Sequence, residues 1–247
     1  PALLEEEASR WHGLRIGLAL SGGGYRAAVF HAGVPQALEE LGIRPTNLST
    51  VSGGSIIGAY YAVGGAPAAF VEAVGEGRFN LKRRLMQAHN ALRLPLPMKI
   101  PGLETELFPW ASFNRRDVQA RLLENLLFGD ARLQGGLRTG ELERGQPELM
   151  IATTDLAYGF QLGLLPDGLL KLGHEGRWHV YRNGALEDFE SMELAERVAV
   201  SGAFPLAFPP RPLRLRVRPP DATGLGSREL LLADGGIRDN TGYDLLW

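Results

Sequence analysis

The sequence predicts an α/β fold built around parallel strands, and three features carry that reading. Arg15-Ile16-Gly17-Leu18-Ala19-Leu20 is a short apolar strand that runs into the turn Ser21-Gly22-Gly23-Gly24-Tyr25-Arg26. Residues 24–41 follow with helical spacing of apolar side chains. A second short strand at 48–52 then ends in Ser52-Gly53-Gly54-Ser55. Strand, crossover helix and strand at this spacing make a parallel pair.

The first helix carries Ala27, Ala28, Phe30, Val34, Ala37, Leu38 and Leu41 as an apolar stripe and ends at Gly42. Pro35 inside it predicts a kink or a break. Leu48 and Val51 are the apolar members of the second strand. The next helix is expected to start at Ser55 and run through Ile56, Ile57, Ala59, Tyr60, Tyr61 and Ala62 to Gly64-Gly65. Residues 92–113 hold Pro95, Pro97, Pro101 and Pro109, which exclude a regular helix. The segment reads either as an ordered surface loop pinned by Phe108, Trp110 and Phe113, or as a functional element, a flap over an apolar acyl pocket or a membrane-touching lip.

Asn114 with Asp117 three residues on predicts an N-cap for a helix over 115–128. Val118, Leu122, Leu123, Leu126 and Leu127 give that helix a core face. Leu149 to Thr153 reads as a buried strand with Asp155 just beyond it. From Arg211 to Arg218, arginine alternates with Leu213, Leu215 and Val217, as in a half-buried strand. Its expected partner is Glu229 to Ala233. The arginine row reads as a solvated, protected edge or as a face drawn to anionic lipid.

Composition narrows the function. At 247 residues and 45% apolar, the chain is expected to form one domain with a sizeable core. A net charge of −2 gives no reason to expect a nucleic-acid partner. The absence of cysteine excludes thiol catalysis and thiolate metal sites. No carboxylate or histidine cluster has metal-ligand spacing, so neither metal nor cofactor is expected. No apolar run approaches the ~18 residues of a spanning helix, and the acidic start Pro1 to Glu7 is unlike a signal peptide. A cytoplasmic or peripheral membrane location is the expectation. The ends, at Pro1 and at Leu245-Leu246-Trp247, suggest a piece of a longer chain, truncated at its C-terminus. Oligomeric state is not legible.

Two glycine turns and one acid stand out chemically. Consecutive glycines Gly22, Gly23 and Gly24 can turn bare N–H groups outward at a helix N-terminus, which suits an oxyanion or a phosphate. Gly22-x-Gly24-x-x-Ala27 fits a loose dinucleotide pattern, but the acid needed some 20 residues on is missing. Gly53-Gly54-Ser55 reads as a tight corner presenting a serine hydroxyl, although Ile57 stands where a Gly-x-Ser-x-Gly pattern wants glycine. Serine needs a base. None of the five histidines follows a well-defined strand, and His31 lies within the first helix. Asp234 directly follows an apolar strand and precedes Gly235-Gly236. Asp155 is the competing acid, with ordinary neighbours.

In this order, Gly22-Gly23-Gly24-Tyr25-Arg26, Gly53-Gly54-Ser55 and Asp234-Gly235-Gly236 resemble the patatin-like phospholipases. His31-Ala32-Gly33-Val34 and Ala37-Leu38-Glu39-Glu40 resemble that family's first helix, and Ala152-Thr153-Thr154-Asp155-Leu156 and Ser201-Gly202-Ala203-Phe204-Pro205 resemble its secondary signatures. The resemblance spans about residues 14–243. Ile57 and Ala27 depart from the family's glycines. It implies a three-layer α/β/α fold with a mainly parallel sheet, and a Ser55–Asp234 dyad working through an acyl-enzyme. It further implies an oxyanion hole from Gly22, Gly23 and Gly24. Arg26 either anchors the loop by a hydrogen bond or meets a phospholipid head group. The implied partner is a phospholipid or other lipid ester, with peripheral membrane contact. A lipid acyltransferase or thioesterase would use the same dyad. A silent lipid-binding module is the rival from another class.

Overall fold

The structure is a computed structural model. It describes residues 14–87, 114–128, 147–173, 176–182, 185–186, 189, 191–205, 207–217 and 226–246. The proposed flap at 92–113 lies outside the described residues.

Strand β1 (Gly17–Leu20) leads through the glycine turn into α1 (Gly24–Glu40), which continues across Pro35. Strand β2 (Asn47–Val51) leads into α2 (Gly53–Ala62), and α3 (Pro67–Gly75) and α4 (Leu81–Leu85) follow. Helix α5 (Arg115–Leu123) starts on a full capping box. The Asn114 side chain accepts from the backbone N–H groups of Arg116 and Asp117, and the Asp117 carboxylate accepts from the Asn114 N–H. A π-turn at Glu124–Phe128 continues it. The remaining elements are β3 (Glu148–Asp155), β4 (Phe160–Leu165), β5 (Gly168–Leu172), β6 (Trp178–Arg182), α6 (Leu194–Ser201), β7 (Arg211–Val217) and β8 (Gly226–Asp234). Short 3₁₀ turns stand at Gly235–Ile237 and Asp244–Leu246.

Side-chain alternation divides the core. Leu149 and Ile151 of β3 join the main cluster, where Ala28 and Ala32 of α1, Ile56 and Ile57 of α2, Leu123 of α5 and Val198 of α6 pack. Met150 and Ala152 point to the other face and meet Val51, Leu165 and Leu245. Burying a side chain such as Leu149 or Ile57 contributes about 1.5–3 kcal/mol, so these faces fix which way every strand points.

Pairing is parallel between β1 and β2 and between β2 and β3. All other pairings are antiparallel, including β7 with β8. The parallel strands hold the glycine turns, beyond them the pairing is antiparallel, and the sheet as a whole is mixed. On β7, Leu213 and Leu215 are buried and Arg214 is exposed, as the alternation requires.

One register positions the site. Strand β2 runs along β3 until Val51 stands opposite Ala152. Strand β8 approaches the same edge of β3 from the other end and places Asp234 opposite Thr153. The two strands therefore abut, and the residue after Val51 meets Asp234. That residue is Ser52.

Two expectations are corrected here. Helix α2 begins at Gly53, so the strand-to-helix corner is Ser52 and Ser55 lies inside the first turn. Phe30 is 74% exposed, and Ala37 and Leu41 are exposed as well, rather than part of the apolar stripe, which is completed by His31 and Pro35.

Candidate active site

Ser52 has φ 49° and ψ −116°, and it is the one non-glycine residue with positive φ among the described residues. Holding a side chain there costs about 1–3 kcal/mol. The corner turns the Ser52 hydroxyl onto Asp234, to which it donates across 2.9 Å to Oδ2. The other carboxylate oxygen accepts the Gly236 N–H at 2.8 Å, closing the turn behind the acid. The Asp234 N–H donates to the Ala203 carbonyl at 3.1 Å, and the Thr153 hydroxyl donates to the Ala233 carbonyl. The acid is thus held on both sides by backbone.

Asp234 is only 6% exposed. Burial pushes its carboxyl above the ordinary carboxylate range, and the Gly236 N–H and the Ser52 hydroxyl pull it partly back. A raised pKa makes this carboxylate a better base for a hydroxyl than a solvated one.

Ser55 is elsewhere. It is fully buried, and its hydroxyl lies 3.0 Å from Ser201 Oγ. Ser201 spends its own proton on the Ala152 carbonyl at 2.7 Å. Ser201 Oγ must therefore accept from Ser55, and among the described residues no base hydrogen-bonds to the Ser55 hydroxyl. The expected Ser55–Asp234 pair is replaced by Ser52–Asp234. A signal for this was present in the sequence. Applied to Ser52, the Gly-x-Ser-x-Gly pattern finds Gly54 in its last place and Thr50 in its first, and Ile57 ceases to be a departure.

The glycine turn packs against this corner through backbone. A Cβ on Gly53 would stand 1.9 Å from the Gly24 carbonyl oxygen, and one on Gly54 would stand 2.2 Å from the Leu20 carbonyl oxygen. Only glycine allows that approach. The expected three N–H donors reduce to two: the Gly22 N–H is taken by the Asn240 carbonyl at 2.9 Å. Gly23 and Gly24 are exposed, and their N–H groups have no partner among the described residues. Gly24 opens α1, whose N-terminus favours negative charge.

Arg26, on the first turn of α1, is exposed. No hydrogen bond ties it to the loop, so the anchoring reading of this side chain has no counterpart among the described residues. His31 is buried, with Nε2 3.1 Å from both the hydroxyl and the carbonyl of Ser21. Burial lowers its pKa, opposed by the Ser21 carbonyl, and the ring braces the start of the glycine turn. Asp155 is fully buried and accepts the backbone N–H groups of Ala157 and Leu231, a structural use. His12, His89 and His174 lie outside the described residues. Among the described residues no group of three His, Cys, Asp or Glu could hold a metal, and no helix is long and apolar enough to cross a membrane.

No curated protein sequence matches the chain. Solved structures do. Human GIVD cytosolic phospholipase A2 superposes with a TM-score of 0.60 at 15% identity, over 100% of this chain and 43% of that one. The same human protein in complex with a methyl gamma-linolenyl fluorophosphonate inhibitor and terbium chloride gives 0.54 at 17% identity, over 83% of this chain and 33% of that one. The chain therefore spans less than half the length of these structures, with which it shares the fold. In sequence, the patatin-like phospholipase family matches residues 18–247, nearly the whole chain, and the chain belongs to that family.

Proposed function

We propose that the chain is a serine lipid acyl hydrolase of the phospholipase A or esterase type, with Ser52 as nucleophile and Asp234 as its base. The observation that carries this reading is the 2.9 Å hydrogen bond from a strained corner serine to a buried carboxylate. Family membership supports a lipid substrate, read here as a phospholipid or other lipid ester.

The Ser52 Oγ attacks the ester carbonyl carbon while its proton passes to Asp234 Oδ2. The carbonyl oxygen becomes an oxyanion and takes the N–H groups of Gly23 and Gly24. Losing one such donor costs about 3 kcal/mol, or roughly 100- to 1,000-fold in rate. The carbon–oxygen bond then breaks, and the leaving alcohol takes the proton back from Asp234. Water attacks the acyl-Ser52 ester while Asp234 takes its proton; the bond from the acyl carbon to Ser52 Oγ then breaks, Asp234 returns the proton to Oγ, and the fatty acid leaves. No histidine takes part.

The fluorophosphonate named with the human structure suggests the probe. Wild type is expected to hydrolyse a short-chain p-nitrophenyl ester and to react stoichiometrically with an alkyl fluorophosphonate. Folded Asp234→Asn is expected to do neither at a comparable rate. Because Asp234 works ionised and its pKa is raised, kcat/KM should fall with acid around a midpoint above the ordinary carboxylate value. A wild-type acid limb at or below that value, or an Asp234→Asn variant with unchanged turnover, would overturn the assignment of the base.

Arg26 is assigned to the phosphate of a head group, since its guanidinium is exposed one turn from the oxyanion N–H groups. Arg26→Ala is expected to reduce phospholipid hydrolysis about 10-fold or more and to leave hydrolysis of an uncharged ester within about twofold. Equal losses on both substrates would refute this role.

A further inference from the structure

The mechanism uses Ser52, Asp234 and two N–H groups, yet a third side chain touches the elbow. Ser201 is the last residue of α6 and is fully buried. Its hydroxyl oxygen lies 2.9 Å from the Ser52 backbone nitrogen, 3.0 Å from Ser55 Oγ and 2.7 Å from the Ala152 carbonyl oxygen. A serine hydroxyl has one proton and two lone pairs. The carbonyl of Ala152 can only accept, so the proton goes there. Both lone pairs are then used, one by the Ser52 N–H and one by the Ser55 hydroxyl.

This arrangement answers a need of the backbone. Val51 is the last residue of β2 in the ladder, and the positive φ of Ser52 turns the chain out of the sheet. The Ser52 N–H lies past the end of the β2 ladder and must find another acceptor. Ser201 provides it, and its bond to Ala152 fixes that acceptor to β3 at the position facing Val51.

We propose that Ser201 is a positioning residue for the nucleophile: it holds the strained elbow by accepting the Ser52 N–H, and so keeps the Ser52 hydroxyl on Asp234. The Ser55 hydroxyl fills the remaining lone pair and is dispensable for positioning. This inference rests on the Ser52–Asp234 reading.

The test is the rate of labelling by an alkyl fluorophosphonate, with the labelled serine located by fragmentation mass spectrometry, alongside kcat and KM for a p-nitrophenyl ester. Ser201→Ala removes the acceptor and leaves the Ser52 N–H without it. Labelling and kcat are expected to fall roughly 10- to 100-fold with KM little changed. The acid limb of kcat/KM should also move upward, because Asp234 loses the Ser52 hydrogen bond that lowers its pKa. Ser201→Thr, which keeps the hydroxyl oxygen, is expected to recover much of the rate, and Ser201→Cys, near in size but a weak acceptor, should not. The cysteine variant also decides the matter if Ser201→Ala does not fold. Label on Ser52 with Ser201→Ala or Ser201→Cys reacting as fast as wild type would overturn the positioning role alone. Label on Ser55 would overturn the underlying reading of the dyad.

Discussion

Ser52→Ala is expected to reduce ester hydrolysis by at least about 1,000-fold, while Ser55→Ala keeps most of it. The two serines stand three residues apart in one glycine-rich segment, and only geometry separates them. Ser52 is half-buried and its hydroxyl donates to a carboxylate; Ser55 is fully buried and its hydroxyl donates to another hydroxyl. Without Ser52 no atom remains to form the acyl bond, so the residual rate reflects oxyanion stabilisation and binding alone. Without the Ser55 hydroxyl, Ser201 still accepts the Ser52 N–H and still donates to Ala152. The expected loss is one buried hydrogen bond, about 1 kcal/mol, seen as a fall in Tm of ~2–4 °C. The measurement is p-nitrophenyl ester turnover for both variants beside their thermal unfolding. Silence in folded Ser55→Ala with turnover retained in Ser52→Ala would reverse the assignment.

The difference between these serines has a physical origin. Glycine is a poor helix former, so the sequence places the helix start after Gly53-Gly54, at Ser55. In the fold those glycines are the helix's first turn because neighbouring backbone leaves no room for a Cβ. Intrinsic propensity gives way to a tertiary contact that the sequence does not display. Phe30 is exposed for a related reason. A count of apolar residues places it on the buried stripe, whereas the helical angle runs through Ala27, Ala28, His31, Ala32 and Pro35, two of which a hydrophobicity count overlooks.

What was legible depended on local pattern. Asp234 stood out because an apolar strand, an acid and a glycine pair are contiguous, and the same contiguity exposed the Gly22–Gly24 turn. The capping box of α5 and the β7–β8 hairpin were readable on the same terms. Ser201 lay in a recognisable segment, but its role needs the chance meeting of α6, β2 and β3. Nor does any local pattern say that Asn240 takes the Gly22 N–H and leaves two donors rather than three.

Gly53→Ala is expected to be nearly as damaging as loss of the nucleophile, at about 100-fold or more in kcat/KM, although it removes no functional group. Its Cβ would meet the Gly24 carbonyl oxygen at 1.9 Å, the carbonyl carbon at 2.6 Å and the Gly24 nitrogen at 2.9 Å. All three are backbone atoms, so no side chain can swing aside. Relief requires the elbow and the glycine turn to separate by roughly an ångström, and a displacement of that size between reacting groups costs about 100-fold. The Ser52 hydroxyl and the oxyanion N–H groups would then no longer converge on one carbonyl, even with the Ser52–Asp234 hydrogen bond intact. Gly33→Ala is the matched control: it lies in α1, a Cβ there meets nothing within 4 Å, and an unchanged rate with equal or slightly higher Tm is expected. Turnover and fluorophosphonate labelling of both variants, with circular dichroism, decide the point. A folded Gly53→Ala enzyme with near-wild-type turnover would mean that the distance between these two turns does not set the rate, and the Gly23–Gly24 pair would lose its place as the oxyanion hole.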